Sequence, residues 1–184
     1  MEKKESRILE TALKLFVRHG YSKVTMSDIA QASALSRPTL YSSFSNKEAI
    51  VNTLVNLQIE ENYVETKKHL ESEKNLKKRL ECIFEIWIIK PFASVIDSEN
   101  AQDLLSNAST YAPDAMAHLY ARFEDQIIEV LEPEIKKKWD LSAQDLAHIL
   151  MLATKGLKAS TETLPELRRM TDGLISMTLA TVGK

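Results

Sequence analysis

Between Thr25 and Phe44 the chain places two short helices around a tight turn, and this stretch constrains the fold more than any other. Thr25-Met26-Ser27-Asp28 has capping-box spacing, with Asp in the place of Glu, and opens the first helix. Ile29, Ala30 and Ala32 supply its apolar side. After Ser33-Ala34-Leu35, Ser36 caps a second helix from Arg37 to Phe44. Pro38 falls in its first turn, where a missing N–H is not needed. Leu40 and Phe44, four apart, point inward and leave Ser36, Arg37, Thr39, Tyr41, Ser42 and Ser43 outside. Ahead of the pair, Ile8, Ala12, Leu15 and Phe16 recur at helical spacing from about Glu5 to His19, and Gly20 stops that helix.

The rest of the chain continues in helices. Ser45-Asn46-Lys47-Glu48 reads as a full capping box for a long fourth helix with Ile50, Leu54, Leu57, Glu61 and Val64 on one stripe, reaching about Leu70. A fifth helix follows the charged run Glu71–Lys78 and ends by Pro91, and a short sixth is expected around Glu99 to Asn107. Pro113 starts a seventh, Ser142 an eighth and Thr163 a ninth. No alternating run is long enough for a sheet. With only four glycines and five prolines in 184 residues, the reading is all-α: a three-helix head, a C-terminal helical bundle, about nine helices in total. The natural division is 1–46 and 47–184.

No stretch approaches a membrane span, and the charged N-terminus lacks an apolar signal region, so a cytoplasmic protein is expected. The single cysteine, Cys82, excludes an intramolecular disulfide. The net charge of −2 argues against general adhesion to nucleic acid. Its distribution is uneven: residues 1–50 hold eight bases against five acids, and the remainder is acidic. His19, His69, His118 and His148 show no metal-ligand spacing, and there is no phosphate-cradling glycine loop. No enzyme, cofactor or metal site is expected.

A short helix pair of this kind suits the DNA major groove, which admits one helix and distinguishes all four base pairs at its edges. The first helix braces the backbone and the second presents side chains to bases. Arg37 can offer a fork to guanine or phosphate, and Thr39 a methyl contact to thymine. Thr25 and Lys47 stand at helix starts, where amide N–H groups favour phosphate. Spacing alone leaves open a three-helix bundle with a polar outer face, or a protein-binding module.

The residues narrow this. Ile8–Phe16, His19-Gly20-Tyr21, Thr25–Ala30, Leu35-Ser36-Arg37, Thr39-Leu40-Tyr41, Phe44 and Lys47-Glu48 fall in register, without a gap, with the tetracycline-repressor-like (TetR) family of bacterial regulators, which this stretch resembles. The resemblance implies that Thr25, Tyr41 and Lys47 contact phosphate. It sets Ser36, Arg37, Pro38, Thr39 and Ser42 against bases. It implies a homodimer on a two-fold-symmetric double-stranded operator, and a repressor released by a small hydrophobic effector through a shift of the fourth helix. An activator, or a constitutive binder without effector, is the alternative. Ala34 stands where the family usually has glycine, and a left-handed alanine there costs roughly 1–2 kcal/mol. Pro38 and Ser42-Ser43 also depart from the pattern, so no operator sequence carries over.

Two reading heads reach successive major grooves only as a dimer. Ala147, Leu150, Met151, Thr154 and Leu157 on the eighth helix, with Leu167, Met170, Leu174, Met177 and Thr178 on the ninth, are the expected interface; the same spacing also suits a closed monomer core. Tyr63, Phe84, Trp87, Tyr111, Met116, Tyr120 and Phe123 are the expected lining of an effector pocket, although aromatics at helical spacing also build cores.

Overall fold

The computed structural model describes residues 3–98, 100, 107–135 and 141–182, and among them the chain is helical with no strand. Helix α1 spans Lys3–His19, α2 Met26–Ala32, α3 Arg37–Ser43, α4 Lys47–Leu70 and α5 Leu76–Phe84. A π-helical segment, Glu85–Ile89, joins α5 directly to α6, Lys90–Ala93. Residues 107–111 are helical, and α7 (Pro113–Leu131), α8 (Ala143–Ser160) and α9 (Leu164–Val182) follow. The sixth helix expected around Glu99 to Asn107 falls largely outside the described residues. None of the described helices is long and apolar enough to cross a membrane. The chain divides into two compact units, Met1–Gln58 with Asp97–Ala117, and Ile59–Ile96 with His118–Lys184.

In the first unit, α1, α2 and α3 close over Ile8, Leu9, Ala12, Phe16, Ile29, Leu40 and Phe44, with Ile50 of α4. The Thr25–Asp28 capping box forms in both directions: Thr25 Oγ1 accepts from the Asp28 N–H, and Asp28 Oδ2 accepts from the Thr25 N–H at 2.8 Å. Ser36 Oγ accepts from the Thr39 N–H at 3.2 Å and starts α3. Phe44 turns extended at φ −138°, so α3 ends at Ser43. The next cap is Asn46, not Ser45: its Oδ1 accepts from the Ala49 N–H at 2.8 Å, one residue later than the sequence pattern suggests.

Between α2 and α3 the chain makes a Schellman turn. The Leu35 N–H donates to the Ala30 carbonyl at 2.9 Å, and the Ala34 N–H to that of Gln31 at 3.0 Å. This geometry needs a left-handed residue, and Ala34 supplies it at φ 52°. The turn keeps the left-handed geometry that suits glycine and bears the strain of a Cβ.

Helix α4 does not carry one apolar stripe. Ile50 is buried and Leu54 and Leu57 pack against the first core, but Glu61 is exposed and Val64 is 64% exposed. Beyond Gln58 the buried residues are Ile59, Asn62 and Thr66. A helix that serves two cores has no single face, which is why a straight extrapolation of the 3–4 spacing misplaces Val64.

The second unit buries Leu80, Ile83, Phe84, Trp87, Phe92, Phe123, Ile127, Leu146 and Ile175, among others. Pro91 does not end a helix here. A proline ring clashes with the carbonyl four residues back in a regular α-helix. The π-helical segment before it widens the turn, with the Lys90 N–H donating to Glu85 O, and the helix passes through.

Candidate nucleic-acid interface

Thr25, Arg37, Tyr41 and Lys47 come together. They line one cleft with Ser22, Val24, Met26, Ser27, Asn46 and Glu48. Each is positioned by a core contact or a cap beneath it. Leu40 is fully buried and Phe44 nearly so, which turns Tyr41 outward, 46% exposed. Arg37 is exposed in the first turn of α3, and among the described residues it makes no ion pair or hydrogen bond that would hold it back.

Lys47 is held rather than loose. Its ammonium donates to the Tyr21 carbonyl at 2.7 Å and lies 4.2 Å from the Tyr21 ring centroid. The Tyr21 hydroxyl in turn donates to Glu48 Oε1 at 3.0 Å. Burial first, then the Glu48 carboxylate, push the Tyr21 hydroxyl far up from its ordinary value, so it remains a donor. A lysine ammonium has three donors, and one bond leaves others for a phosphate. The Asp28 carboxylate, which could repel phosphate, is occupied by Thr25 and held below the usual carboxylate range by those bonds.

Ser36, Pro38 and Ser42 are exposed and Thr39 is half-buried on the outer face of α3. Their hydroxyls are committed locally: Ser36 Oγ and Thr39 Oγ1 lie 2.7 Å apart, and Ser42 Oγ donates to Thr39 O at 2.8 Å. The long free side chains on this face are therefore Arg37 and Tyr41. Ser22, Ser27 and Asn46 were not singled out from sequence; the Asn46 cap is the signal that could have placed it.

The expected pocket lining separates. Tyr111 and Met116 belong to the first unit and the other five residues to the second. The Tyr111 ring stacks on Tyr21 at 3.9 Å and an interplanar angle of 23°, so it supports the residue that holds Lys47. Phe84, Trp87 and Phe123 are buried to 2% exposure or less and pack ring against ring, with Phe84–Phe123 centroids 5.4 Å apart. They are core. The Trp87 indole N–H donates to Thr66 Oγ1 at 2.9 Å. Tyr63 is half-buried with the Arg122 guanidinium 4.4 Å from its ring centroid, and Tyr120 is buried.

The expected interface residues also divide. Ala147, Leu150, Thr154, Leu167 and Thr178 are buried within the single chain. Met151, Leu157 and Leu174 are half-buried, whereas Met170 and Met177 are 42% and 66% exposed. Ile149 and Leu152, which the sequence reading passed over, are exposed by half or more. Of the α8 positions chosen from spacing, Ala147, Leu150 and Thr154 are its inner face, and the exposed Ile149 and Leu152 lie on another.

Residues 8–54 match the bacterial regulatory proteins of the tetR family. The chain is 30% identical over 113 residues to the transcriptional repressor ComR of Escherichia coli, an overlap of 58% of this chain and 50% of that one. It thus spans about half the length of this curated relative. The fold matches that of the fatty acid degradation regulator FadR of Bacillus halodurans, with a TM-score of 0.74 over 95% of each chain at 15% identity. It also matches Thermus thermophilus FadR, a repressor solved with lauroyl-CoA, with a TM-score of 0.59 at 20% identity over 94% of this chain and 93% of that one. Residues 8–54, which hold the helix-turn-helix and its cleft, thus belong to the tetR family of bacterial regulatory proteins, and the helical body behind them shares its fold with regulators of that kind.

Proposed function

We propose that this chain represses transcription by binding a two-fold-symmetric site in duplex DNA as a homodimer, and that a small-molecule effector releases it. Residues 1–46 act as the DNA-binding domain and 47–184 as the effector-binding and dimerisation domain. Thr25, Tyr41 and Lys47 hold phosphates. Ser36, Arg37, Pro38, Thr39 and Ser42 face the bases, and Arg37 is the main reader. The observation that carries this reading is the exposed, unpaired Arg37 beside Tyr41, Lys47 and Thr25 around one cleft. A major-groove reader needs such a set: one fork for a base edge among several groups suited to phosphate.

Exposed Ile149, Leu152, Met170 and Met177 support a dimer through α8 and α9, because apolar side chains at this density on two helices ordinarily find cover. Open space at Gly156 and Gly173 would let a second helix approach closely. That a regulator of this fold was solved with lauroyl-CoA supports an effector, which acts only by binding the two states of the dimer with different affinity.

Footprinting on DNA upstream of the chain's own gene tests the reading. A protected site with two-fold symmetry is expected, with affinity that falls steeply as salt rises. The triple variant Arg37→Ala, Tyr41→Phe, Lys47→Ala is expected to lose at least about a hundredfold in affinity. Unchanged binding by that variant would remove these residues from the interface.

A further inference from the structure

Gly20 closes α1 at φ 84°, and the chain turns through Tyr21, Ser22 and Lys23 before α2 begins. Tyr21 therefore sits on a turn, outside any helical ladder, yet its side chain is buried. Neighbouring side chains fix its ring. Phe16 of α1 packs at 5.2 Å between centroids, tilted by 52°. The Tyr21 hydroxyl donates to Glu48 at the start of α4. A further contact comes from far along the chain: Tyr111 lies nearly flat on the ring at 3.9 Å, with its hydroxyl 3.4 Å from Ser22 Oγ. Lys47 takes its place from the same residue, through the Tyr21 carbonyl at 2.7 Å and the ring at 4.2 Å. A free lysine ammonium moves on a flexible four-carbon stem. One already held where it must act gives up less freedom when a phosphate arrives, and that saving appears as affinity.

We infer that Tyr111 is a positioning residue for DNA binding: stacked on Tyr21, it steadies the ring and carbonyl that hold Lys47 ready for a phosphate, without touching DNA itself. This role rests on the phosphate contact proposed above for Lys47. Tyr111 lies outside residues 8–54, so the stretch that matches the family does not contain its own brace. Two residues on, α7 begins, and it runs to Phe123 and Ile127 in the core of the second unit. Lys47 is thus braced by the lead-in of a helix whose far end is anchored in another core.

Binding of the full-length chain to a duplex cut from the DNA upstream of its own gene, measured over a series of salt concentrations, tests the role. Lys47→Ala is expected to weaken binding about tenfold and to flatten the salt slope by about one, as the loss of one phosphate contact does. Tyr111→Ala is expected to weaken binding several-fold. The double variant is expected to bind no more weakly than Lys47→Ala, because the brace then has nothing to hold. Tyr111→Phe keeps the stacked ring and is expected to bind as the parent does. Tyr111→Leu keeps apolar bulk without an aromatic face; it is expected to show the loss of Tyr111→Ala, and it replaces that variant should the smaller side chain unfold the head. A tyrosine that only stabilises the head would give additive losses in the double variant, and that result overturns the positioning role. So does a Tyr111→Phe loss as large as that of Tyr111→Leu, or parental binding by Tyr111→Leu while Lys47→Ala is weakened; in these cases the phosphate contact of Lys47 stands. Parental binding by Lys47→Ala, or no binding by the parent, overturns that contact and the role of Tyr111 with it.

Discussion

In the first unit, Thr25, Ser36 and Asn46 stand at the surface, and each accepts a hydrogen bond from a backbone N–H three residues on. In the second, Asn62, Thr66 and Gln126 are carried into the apolar interior. Thr66 receives the Trp87 indole N–H, but Gln126 Oε1 is buried without a partner among the described residues. Ser33, whose buried Oγ is unbonded at the strained turn, departs from the pattern of the first unit. The two arrangements suit different work. Closed local caps fix a polar face in one shape, as a surface that reads DNA requires. Interior polar groups that are bonded specify a core, and those left unbonded are a cost that a bound molecule can relieve.

The largest expected effect tests the bonded half of the interior. Trp87 is among the largest fully buried side chains and anchors both Phe123 and Thr66. Trp87→Ala is expected to cost about 3–5 kcal/mol in urea unfolding followed by far-UV circular dichroism. A loss under about 1 kcal/mol would mean that the aromatic cluster is loosely packed and that its polar inset specifies little.

Gln126→Met tests the unbonded half. Replacing a buried, unsatisfied amide by an apolar side chain of similar shape is expected to stabilise the chain by about 1 kcal/mol. A comparable loss in the same unfolding assay would show that the amide is bonded, and the contrast between the two units would fail at its main point.

How far the sequence could be read follows the same divide. In the head, function and fold use short-range signals: Thr25 and Asp28, Ser36 and Thr39, and Leu40 and Phe44 lie three or four residues apart. Each pair states its own geometry, so the helix boundaries and the outward face of α3 were legible. In the body the deciding partners are distant in sequence. Trp87 bonds Thr66, twenty-one residues away. The first unit has its own distant partners, Lys47 and Tyr111 on Tyr21, and these were no more legible. Tyr111 falls between the helices counted from periodicity, so its spacing names no partner. The inner face of α8 could likewise be counted out, but spacing does not say whether the chain itself or a second copy covers it. Pro91 was misread for a different reason: the rule that proline ends a helix assumes a regular helix before it.

A smaller effect is expected at the turn that departs from closed local bonding. Ala34 sits at φ 52°, where glycine is unstrained. Ala34→Gly relieves roughly 1–2 kcal/mol of strain and adds some unfolded-state entropy. A net stabilisation of about 0.5–1 kcal/mol is expected, read as a rise in Tm. Stabilisation accompanied by weaker DNA binding would mean that the strain holds α3 in its reading position; stabilisation with unchanged binding would make it an incidental cost.

The smallest effect compares one motif in both regions. Thr25–Asp28 in the head and Ser142–Asp145 in the body are the same reciprocal cap. In each, hydrogen bonds from the hydroxyl and the N–H of the capping residue hold the aspartate below the ordinary 3.8. A carboxyl whose folded pKa is depressed adds stability that is complete above its unfolded value and fades as pH falls through the folded one. The Tm gap between the parent and Asp28→Ala, and between the parent and Asp145→Ala, should therefore be constant near neutrality and close below about pH 3.8. Equal gaps closing together would show that a cap is a local device, indifferent to the core behind it. That outcome places the difference between the two units in their interiors rather than in their helix ends. A gap that stays open in acid at Asp28 alone would tie that carboxylate to the rest of the head, and the clean division between surface caps and interior polarity would not hold.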